Sequence, residues 1–320
     1  MDVIMLRHPH SHKKEELEPM ALALGFFDGV HKGHQQVISA AKKTADMHGW
    51  KSAVMTFDPH PSVVLGRKHQ HIRYITPLEE KKRLIADLGI DYLFVVRFTS
   101  DFAALEPQQF VDQYIIGLNV QHVTAGFDYT YGRLGKGTME TLLFHSRGAF
   151  AFTPIDKLEF REEKVSSTKI RELLSEGLVR DASDLLGRPY RMHGTVIHGD
   201  KRGRKMGFPT ANIKPDDDYF LPRTGVYAVK IRVKNEWREG VCNVGFRPTF
   251  KSPDKPVLSI EVHIFQYTGD IYGEEVEVDW FIRLRGEQKF SGIEELAAQI
   301  ERDKKAAVLF FDSKRLDEEA

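Results

Sequence analysis

The hydrophobic pattern of this chain changes once, near residue 187, and that change constrains the fold more than any other feature. Before it, short runs of apolar or β-branched residues alternate with segments of helical periodicity. The predicted strands are ALALGFF (21–27), KSAVMTF (51–57), YLFVV (92–96) and NVQHVTAGF (119–127), and the predicted helices cover 34–48, 77–88 and 107–117. This alternation is typical of βαβ units and predicts a doubly wound parallel sheet with helices on both faces.

The start of the second predicted helix is marked by the tetrapeptide TPLE at 76–79. Thr76 is expected as the N-cap, Pro77 as the first helical residue, and Glu79 as the partner that closes a capping box.

After residue 187, apolar and polar residues alternate along short segments separated by Gly, Pro, Asp and Asn. These segments are HGTVIH (193–198), GVYAVKIRV (225–233), WREGVCNV (237–244), LSIEVHIF (258–265) and EEVEVDWFIRL (274–284). The pattern predicts an antiparallel β-barrel or sandwich. One closing helix is expected over 291–312, followed by the solvated tail KRLDEEA. We therefore predict two domains, 1–186 and 187–320.

Composition limits the class of protein. The chain has 320 residues, 41% of them hydrophobic, and no apolar run long enough to cross a bilayer. Lys plus Arg and Asp plus Glu number 46 each, so no global charge favours nucleic acid or an anionic membrane as a partner. The first twenty residues lack signal-peptide features, and the single cysteine, Cys242, is expected to be a core strand residue. These features predict a cytoplasmic protein, either a monomer or a weak homo-oligomer.

The segment GFFDGVHKGHQQ (25–36) lies where a predicted strand ends and a helix begins. Gly25, Gly29 and Gly33 lie at this junction, whose free N–H groups attract anions such as a polyphosphate, and Gly33 permits close approach of a nucleotide. His31 and His34 are three residues apart, so on a helical turn their imidazoles share a face and can stabilise phosphoryl charge. Two other interpretations of the pair stay open here. One is a metal site, for which no other zinc-like spacing supplies further ligands, and the other is an ordinary helix start with surface histidines.

The segment HGDKRGRKMGFPTANI (198–213) combines basic residues and glycines with two hard oxygen ligands, Thr210 and Asn212. On a β-strand these two positions face the same side, so both could hold one magnesium ion. The alternative is a solvated basic loop followed by a turn into a strand.

Four N-terminal segments, GFFDGVHKGH (25–34), TFDPHP (56–61), GFDYTYG (126–132) and VSSTKIR (165–171), resemble the FAD synthetase branch of the nucleotidyltransferases that carry an HxGH signature. The resemblance implies that the phosphate of FMN attacks the α-phosphorus of ATP, with pyrophosphate leaving. His31 and His34 would then stabilise the transition state. The implied ATP-binding residues are Gly25, Phe26, Gly33, Gly126, Asp128, Ser167, Thr168 and Arg171, and the implied flavin-binding residues are Phe57, Pro59 and His60.

Taken alone, several of these residues have ordinary structural interpretations. Ser167 and Thr168 could cap the helix that follows, Asp128 could be a turn carboxylate, and Phe57 could be a core aromatic. No covalent nucleophile is expected, because the acceptor is already an anionic phosphate.

The C-terminal segments GRKMGFPTAN (203–212), NVGFRPTF (243–250), LSIEVHIF (258–265), IYGEEVEV (271–278) and RLRGEQKF (283–290) resemble riboflavin kinase. The resemblance implies that Glu261 is the general base on the ribityl 5′-hydroxyl and that Thr210 and Asn212 hold Mg²⁺. It further implies an ATP-phosphate loop made of Gly203, Arg204, Lys205 and Gly207, and a flavin contact or gate at Arg285. In isolation, Glu261 would be interpreted as a solvent-facing strand residue.

Together the two resemblances predict a member of the bifunctional riboflavin kinase and FAD synthetase family. Its substrates and products would be riboflavin, FMN, FAD and ATP, with Mg²⁺ as cofactor and small molecules as the only partners. One alternative is a kinase whose first domain is inactive or adenylylates another acceptor, such as a nicotinate nucleotide. The other is a nucleic-acid-binding regulator, which the balanced charge and the lack of an aromatic RNA motif disfavour.

Overall fold

The structure, a computed structural model, describes residues 1–66, 72–199, 207–249 and 252–319. The chain divides into two compact units, Met1–Ser167 and Thr168–Ala320. Among the helices of the described ranges, none combines the length and apolar character needed to span a membrane.

The first unit is built on a parallel sheet of six strands in the order β1-β4-β3-β2-β5-β8. The strands of this unit are β1 Asp2–Leu6, β2 Met20–Leu24, β3 Lys51–Asp58, β4 Tyr92–Arg97, β5 Val120–Gly126, β6 Thr130–Tyr131, β7 Gly137–Thr138, β8 Ala151–Ile155, β9 Glu159–Phe160 and β10 Glu163–Lys164. The pairs β6–β7 and β9–β10 form two short antiparallel ribbons outside the main sheet.

Helices cover both faces of this sheet. They are α1 Lys32–His48, α2 Pro61–Leu65, α3 Leu78–Asp87, α4 Ser100–Ala103, α5 Pro107–Phe110, which continues through π and 3₁₀ turns to Leu118, and α6 Met139–Ser146. Alternate residues of β2 enter opposite cores: Leu22 packs with the α5 side, whereas Ala23 packs with α1 and α3. Because successive strand residues point to opposite faces, the central strands β2, β3 and β4 each contribute to two hydrophobic cores. The predicted doubly wound parallel sheet is confirmed.

Helix α3 begins one residue later than predicted. Pro77, not Thr76, occupies the N-cap position, and no side chain caps this helix. Thr76 is buried, and its backbone N–H donates to the Asp28 carboxylate at 2.9 Å. A tertiary hydrogen bond therefore replaces the local cap that the TPLE sequence suggests.

The second unit contains a closed antiparallel barrel with the strand order β11-β12-β15-β14-β13-β16. Its elements are α7 Ser167–Glu176, α8 Val179–Leu186, β11 Tyr190–Ile197, β12 Ala211–Pro215, β13 Gly225–Val233, β14 Glu236–Thr249, β15 Ser252–Ile264, β16 Glu275–Arg285 and α9 Ile293–Glu319. The barrel prediction is confirmed, and Cys242 is fully buried in β14 as expected.

The closing helix α9 is longer than predicted. Ala307 and Phe311 on this helix pack against Val226 and Val241 of the barrel, which fixes its central turns. The helix continues to Glu319 and so includes most of the segment expected to be a solvated tail, in which Arg315 and Leu316 are exposed. Lys, Arg, Leu and Glu all favour helix, so the polar end extends the docked segment.

The compact units divide between Ser167 and Thr168, earlier than the predicted boundary at 186/187. Within the second unit, α8 packs against β11 and β16, which explains why this helix groups with the barrel. The domain boundary at 186/187 stays a prediction.

Candidate active sites

The loop between β2 and α1 carries the glycine and histidine signature and has an unusual backbone. Gly29 has a φ of 92°, and the non-glycine residues Phe27 and Val30 have φ values of 55° and 40°. Such values are uncommon for bulky and β-branched side chains and occur where surrounding contacts impose them. Phe27 and Val30 are both buried in the core between the sheet and helices α1 and α3. The loop is therefore held in a specific conformation by packing.

His31 caps helix α1 and stacks on His34. The Nδ1 atom of His31 accepts the backbone N–H of His34 at 3.2 Å, so the proton of a neutral His31 lies on Nε2. The two ring centroids are 3.5 Å apart. The expected shared face is thus present. His31 is 5% exposed, so it is not the surface histidine of the alternative interpretation, and its Nε2–H is a donor suited to phosphate oxygen.

His34 is neutral in this environment. Burial, the neighbouring His31 and the charge of Lys81 hold the pKa of His34 well below its usual value of 6.5. Its Nδ1 atom is buried and has no hydrogen-bond partner among the described residues. No three His, Cys, Asp or Glu side chains in the described parts of the chain are grouped to hold a metal ion.

Asp28 joins three segments of the site and was missed by the sequence reasoning. Its carboxylate is 2% exposed and accepts the backbone N–H groups of Ile75, at 3.3 Å, and Thr76, at 2.9 Å. Its carbonyl oxygen accepts the Ser167 hydroxyl at 2.8 Å. The VSSTKIR segment thereby meets the GFFDGVHKGH loop at Ser167. Thr168 and Arg171 follow on α7 and belong to the second unit, so their contact with ATP stays a prediction.

Lys81 on α3 is a second charged residue that the sequence reasoning missed. It is 3% exposed, and its Nζ donates to the carbonyl of Phe26 at 2.7 Å and to Thr56 Oγ1 at 3.1 Å. Burial lowers its pKa to about 8, against the opposing effects of Asp28 and Asp58. One signal in the sequence could have indicated this burial. Lys81 precedes Ile85 by four residues, about one helical turn, and so lies on the apolar face of α3.

The predicted flavin-side residues lie at the end of β3 and the start of α2. The Phe57 ring is 8% exposed and packs near Phe98 and Phe102, as a core aromatic does. Pro59 precedes His60, whose ring caps α2 and lies edge-on to the Phe26 ring with centroids 4.4 Å apart. A flavin contact at these residues stays a prediction.

The remaining residues predicted to bind the nucleotide lie at strand ends. Gly25 follows β2 and its N–H donates to the carbonyl of Met55, while Gly126 ends β5. Asp128 is exposed and forms an ion pair with Lys164 at 2.6 Å. Both glycines thus lie at the carboxyl edge of the sheet, where nucleotide ligands of parallel sheets bind.

The barrel brings its predicted site residues together on three neighbouring strands. Asn212 on β12 and Asn243 on β14 are both direct register partners of Glu261 on β15, so all three point to one face. The Thr210 hydroxyl, immediately before β12, is 3.5 Å from Glu261 Oε2. Asn243 was missed as a site residue, although it begins the NVGFRPTF segment.

A cavity of about 380 Å³ opens beside this group. It is lined by Val196, Gly199, Pro209, Thr210, Ala211, Asn212, Ile264 and residues 267–272. Thr210 and Asn212 therefore face a space of the size that small-molecule sites occupy.

The other predicted kinase residues divide into two groups. Gly203, Arg204 and Lys205 lie outside the described residues, and Gly207 has a φ of 82°. Arg285 is held by Asp303 of α9, with Nε–Oδ1 and Nη2–Oδ2 distances of 2.9 and 2.8 Å. Its guanidinium is thus already oriented, and its role toward flavin stays a prediction.

Two groups of residues are thus candidate centres of a nucleotide-dependent transferase, a histidine pair at the edge of the parallel sheet and a carboxylate in the barrel. Two family models match the chain, FAD synthetase over residues 13–169 and riboflavin kinase over residues 186–311. The chain belongs to the bifunctional riboflavin kinase/FMN adenylyltransferase family.

Similar proteins cover nearly the whole chain. The bifunctional riboflavin kinase/FMN adenylyltransferase of Bacillus subtilis is 51% identical over 98% of this chain and 100% of its own length. The enzyme of the same name from Listeria monocytogenes is 50% identical over 97% of this chain and 98% of its own length. A crystal structure named macrolide-efflux protein, from Streptococcus pneumoniae, is 33% identical with a TM-score of 0.86 and covers 95% of this chain and 98% of that one.

Proposed function

We propose that this enzyme phosphorylates riboflavin to FMN in the barrel and adenylylates FMN to FAD at the edge of the parallel sheet. The observation that carries the assignment of residues is that the central motif residues of each site lie close together within one compact unit. His31, His34 and Ser167 meet around the loop at Asp28, whereas Thr210, Asn212 and Glu261 meet beside the barrel cavity.

In adenylyl transfer, a phosphate oxygen of FMN forms a bond to the α-phosphorus of ATP, and the bond from that phosphorus to the bridging oxygen breaks. Pyrophosphate leaves, and no group on the protein needs to gain or lose a proton. The Nε2–H of His31 donates to the phosphoryl oxygens as charge builds on them, with His34 stacked beside it. Positioning and charge stabilisation supply the catalysis.

The residues around the histidines bind the reactants in this proposal. Glycines at the strand ends allow the nucleotide to approach the backbone, and hydroxyl and guanidinium groups bind the triphosphate. The nucleotide contacts are Gly25, Phe26, Gly33, Gly126, Asp128, Ser167, Thr168 and Arg171, and the flavin contacts are Phe57, Pro59 and His60.

In the kinase reaction, Glu261 accepts the proton of the ribityl 5′-hydroxyl as that oxygen attacks the γ-phosphorus of ATP, and ADP leaves. Thr210 and Asn212 fit a hard cation, because both present uncharged oxygen donors beside the Glu261 carboxylate. Mg²⁺ bound there would neutralise charge on the ATP phosphates. Gly203, Arg204, Lys205 and Gly207 would bind the phosphates, and Arg285 the flavin.

The proposal extends to the setting in which the enzyme acts. Both reactions consume ATP, so we place the enzyme in the cytoplasm, acting on small molecules rather than on nucleic acid. We expect a monomer or a weak homo-oligomer.

Paired variants test the assignment. Glu261→Gln should abolish FMN formation from riboflavin and leave conversion of FMN to FAD unchanged, because only the kinase needs a base at that carboxylate. His31→Ala should do the reverse. The measurement is chromatography of flavins after incubation with ATP and Mg²⁺, with the surface variants Glu236→Gln and His48→Ala as matched controls.

Two outcomes contradict the proposal. Loss of both activities in a folded Glu261→Gln or His31→Ala protein would refute two independent sites. If the enzyme with ATP converts nicotinate mononucleotide to the dinucleotide faster than it converts FMN to FAD, the alternative acceptor is correct.

A further inference from the structure

We propose that Lys81 is a positioning residue for adenylyl transfer, which anchors the loop carrying the histidine pair and supplies a buried positive charge behind it. The inference rests on the proposed adenylyl transfer at this site. It assigns a role to a residue on α3, which is remote in sequence from each of the motif segments.

Lys81 contacts the loop directly. Its Nζ is 2.7 Å from the Phe26 carbonyl oxygen, 3.1 Å from Thr56 Oγ1 and 4.2 Å from the centroid of the Phe26 ring. The Thr56 hydroxyl donates to the same carbonyl at 2.8 Å. The ammonium thus links the end of β3 to the start of the loop, and it binds both the backbone and the ring of Phe26.

The anchor matters because the loop that follows is strained. Phe27 and Val30 both have positive φ, a conformation that costs about 1–3 kcal/mol for such residues and persists only where neighbours impose it. Lys81 fixes the entry to this stretch at Phe26, and the Gln35 side chain fixes its exit by donating to the carbonyl of Val30 at 2.8 Å. His31 follows immediately, so relaxation of the loop would move its imidazole.

Charged and titratable groups face Lys81 from three other elements. Asp28 of the loop and Asp58 at the end of β3 favour its protonated form, and His34 of α1 is close enough for the lysine charge to lower its pKa. On its own helix, Glu80 lies 3.8 Å from Arg83. Since His34 is neutral, Lys81 supplies a buried positive charge beside the histidine pair, and its pKa of about 8 keeps it protonated at neutral pH.

The test compares both activities of the same full-length protein. Lys81→Met should lower kcat/KM for FMN adenylylation at pH 7 about 10- to 100-fold, the range expected for loss of a charge-assisted hydrogen bond. Riboflavin phosphorylation in the same sample should be unchanged and shows that the barrel is folded, whereas hydrogen exchange of the β2–β5 amides checks the fold of the first unit. Lys82→Met is the matched control, because that lysine is partly exposed and pairs with Glu79.

The pH profile separates this role from a merely structural one. In the wild-type enzyme, kcat/KM for adenylylation should fall above about pH 8, as Lys81 loses its proton. Phosphate monoesters are fully ionised there, with a second pKa of about 6, so the substrate phosphate does not cause the fall. Lys81→Arg keeps the charge and should show no such fall between pH 7 and 9.5.

Two results would overturn the inference. One is that Lys81→Met adenylylates FMN at pH 7 with the same kcat/KM as the wild-type enzyme. The other is that kcat/KM of the wild-type enzyme for adenylylation stays constant from pH 7 to 9.5. If Lys81→Met misfolds and loses both activities, the pH profiles of adenylylation by the wild-type enzyme and by Lys81→Arg still test the inference. Absence of FAD formation by the wild-type enzyme would refute the proposed function instead.

Discussion

Gly199 illustrates at the residue scale how closely backbone and side chains approach each other in the barrel site. It lies on the cavity wall just after β11, and a Cβ at this position would be 2.1 Å from the Asn212 side-chain nitrogen. A contact that short cannot persist, so any larger residue must displace Asn212.

Gly199→Ala should therefore lower kcat/KM for riboflavin phosphorylation about tenfold or more, since a misplaced group near reacting atoms costs up to about 100-fold. Conversion of FMN to FAD should be unaffected. Steady-state kinetics of both reactions check this, with Gly292→Ala as the control, because a Cβ there meets nothing within 4 Å. An unchanged kinase would show that Asn212 has no part in phosphoryl transfer.

Residue chemistry explains which site residues could be predicted from the sequence. His31, His34, Ser167, Thr210 and Glu261 lie in motifs, so their grouping was foreseen. Asp28 and Lys81 were not, because charged side chains are normally exposed and nothing local marks them as buried. Their burial depends on contacts with segments about 50 to 140 residues distant in the chain.

At the element scale, helix α1 begins where the site requires a close approach. Gly33 lies in its first turn, and a Cβ there would be 3.3 Å from Nδ1 and Cε1 of the His31 ring. The helix itself would tolerate alanine, since alanine favours helix over glycine by about 1 kcal/mol. The constraint on residue 33 therefore comes from the imidazole and not from the helix.

Gly33→Ala should lower kcat/KM for FMN adenylylation about tenfold, because the His31 ring must shift from its stacked position. The free energy of unfolding should stay equal or rise by up to about 1 kcal/mol. Kinetics and urea unfolding provide the measurements, and Ser39→Ala in the same helix is the control. A parallel loss of stability and kinase activity would indicate damage to the fold instead.

Elements were predicted well where periodicity reflects burial and less well at their ends. The alternation of strands and helices could be predicted from the spacing of apolar residues alone, because apolar faces are buried in a core. The start of α3 depends instead on the hydrogen bond from the Thr76 backbone N–H to the Asp28 carboxylate. Helix α9 is longer than predicted because it continues to Glu319, past the turns that pack against the barrel. The start of α3 is therefore not encoded in the neighbouring residues, whereas the helix-favouring residues at the end of α9 are local and were interpreted only as a solvated tail.

At the scale of the whole molecule, the first compact unit carries the electrostatic cost of a buried ammonium group. In the first unit, the pKa of Lys81 falls from 10.5 to about 8 because its ammonium has lost water. The unfolded chain binds more protons between those two values, so the stability of this unit rises with pH across that window. At pH 7, burial of the charged Lys81 side chain lowers the free energy of unfolding of this unit by its full amount, about 3 kcal/mol.

Lys81→Met should accordingly raise the free energy of unfolding of the first unit at pH 7 by about 1–3 kcal/mol, with lost hydrogen bonds offsetting part of the gain. The gain should shrink at pH 9.5, where wild-type Lys81 is mostly neutral. Urea-dependent hydrogen exchange of the β2–β5 amides in the full chain measures it. A less stable variant with no dependence on pH would show that burial of the ammonium carries no penalty.

The buried ammonium also determines how this protein responds to selection. A selection for the amount of folded enzyme alone would enrich variants that lack Lys81. A selection for growth that depends on FAD made by this enzyme would deplete the same variants. A library read out in both ways would therefore rank substitutions at this position in opposite orders, as expected where a fold retains a costly charge for its chemistry.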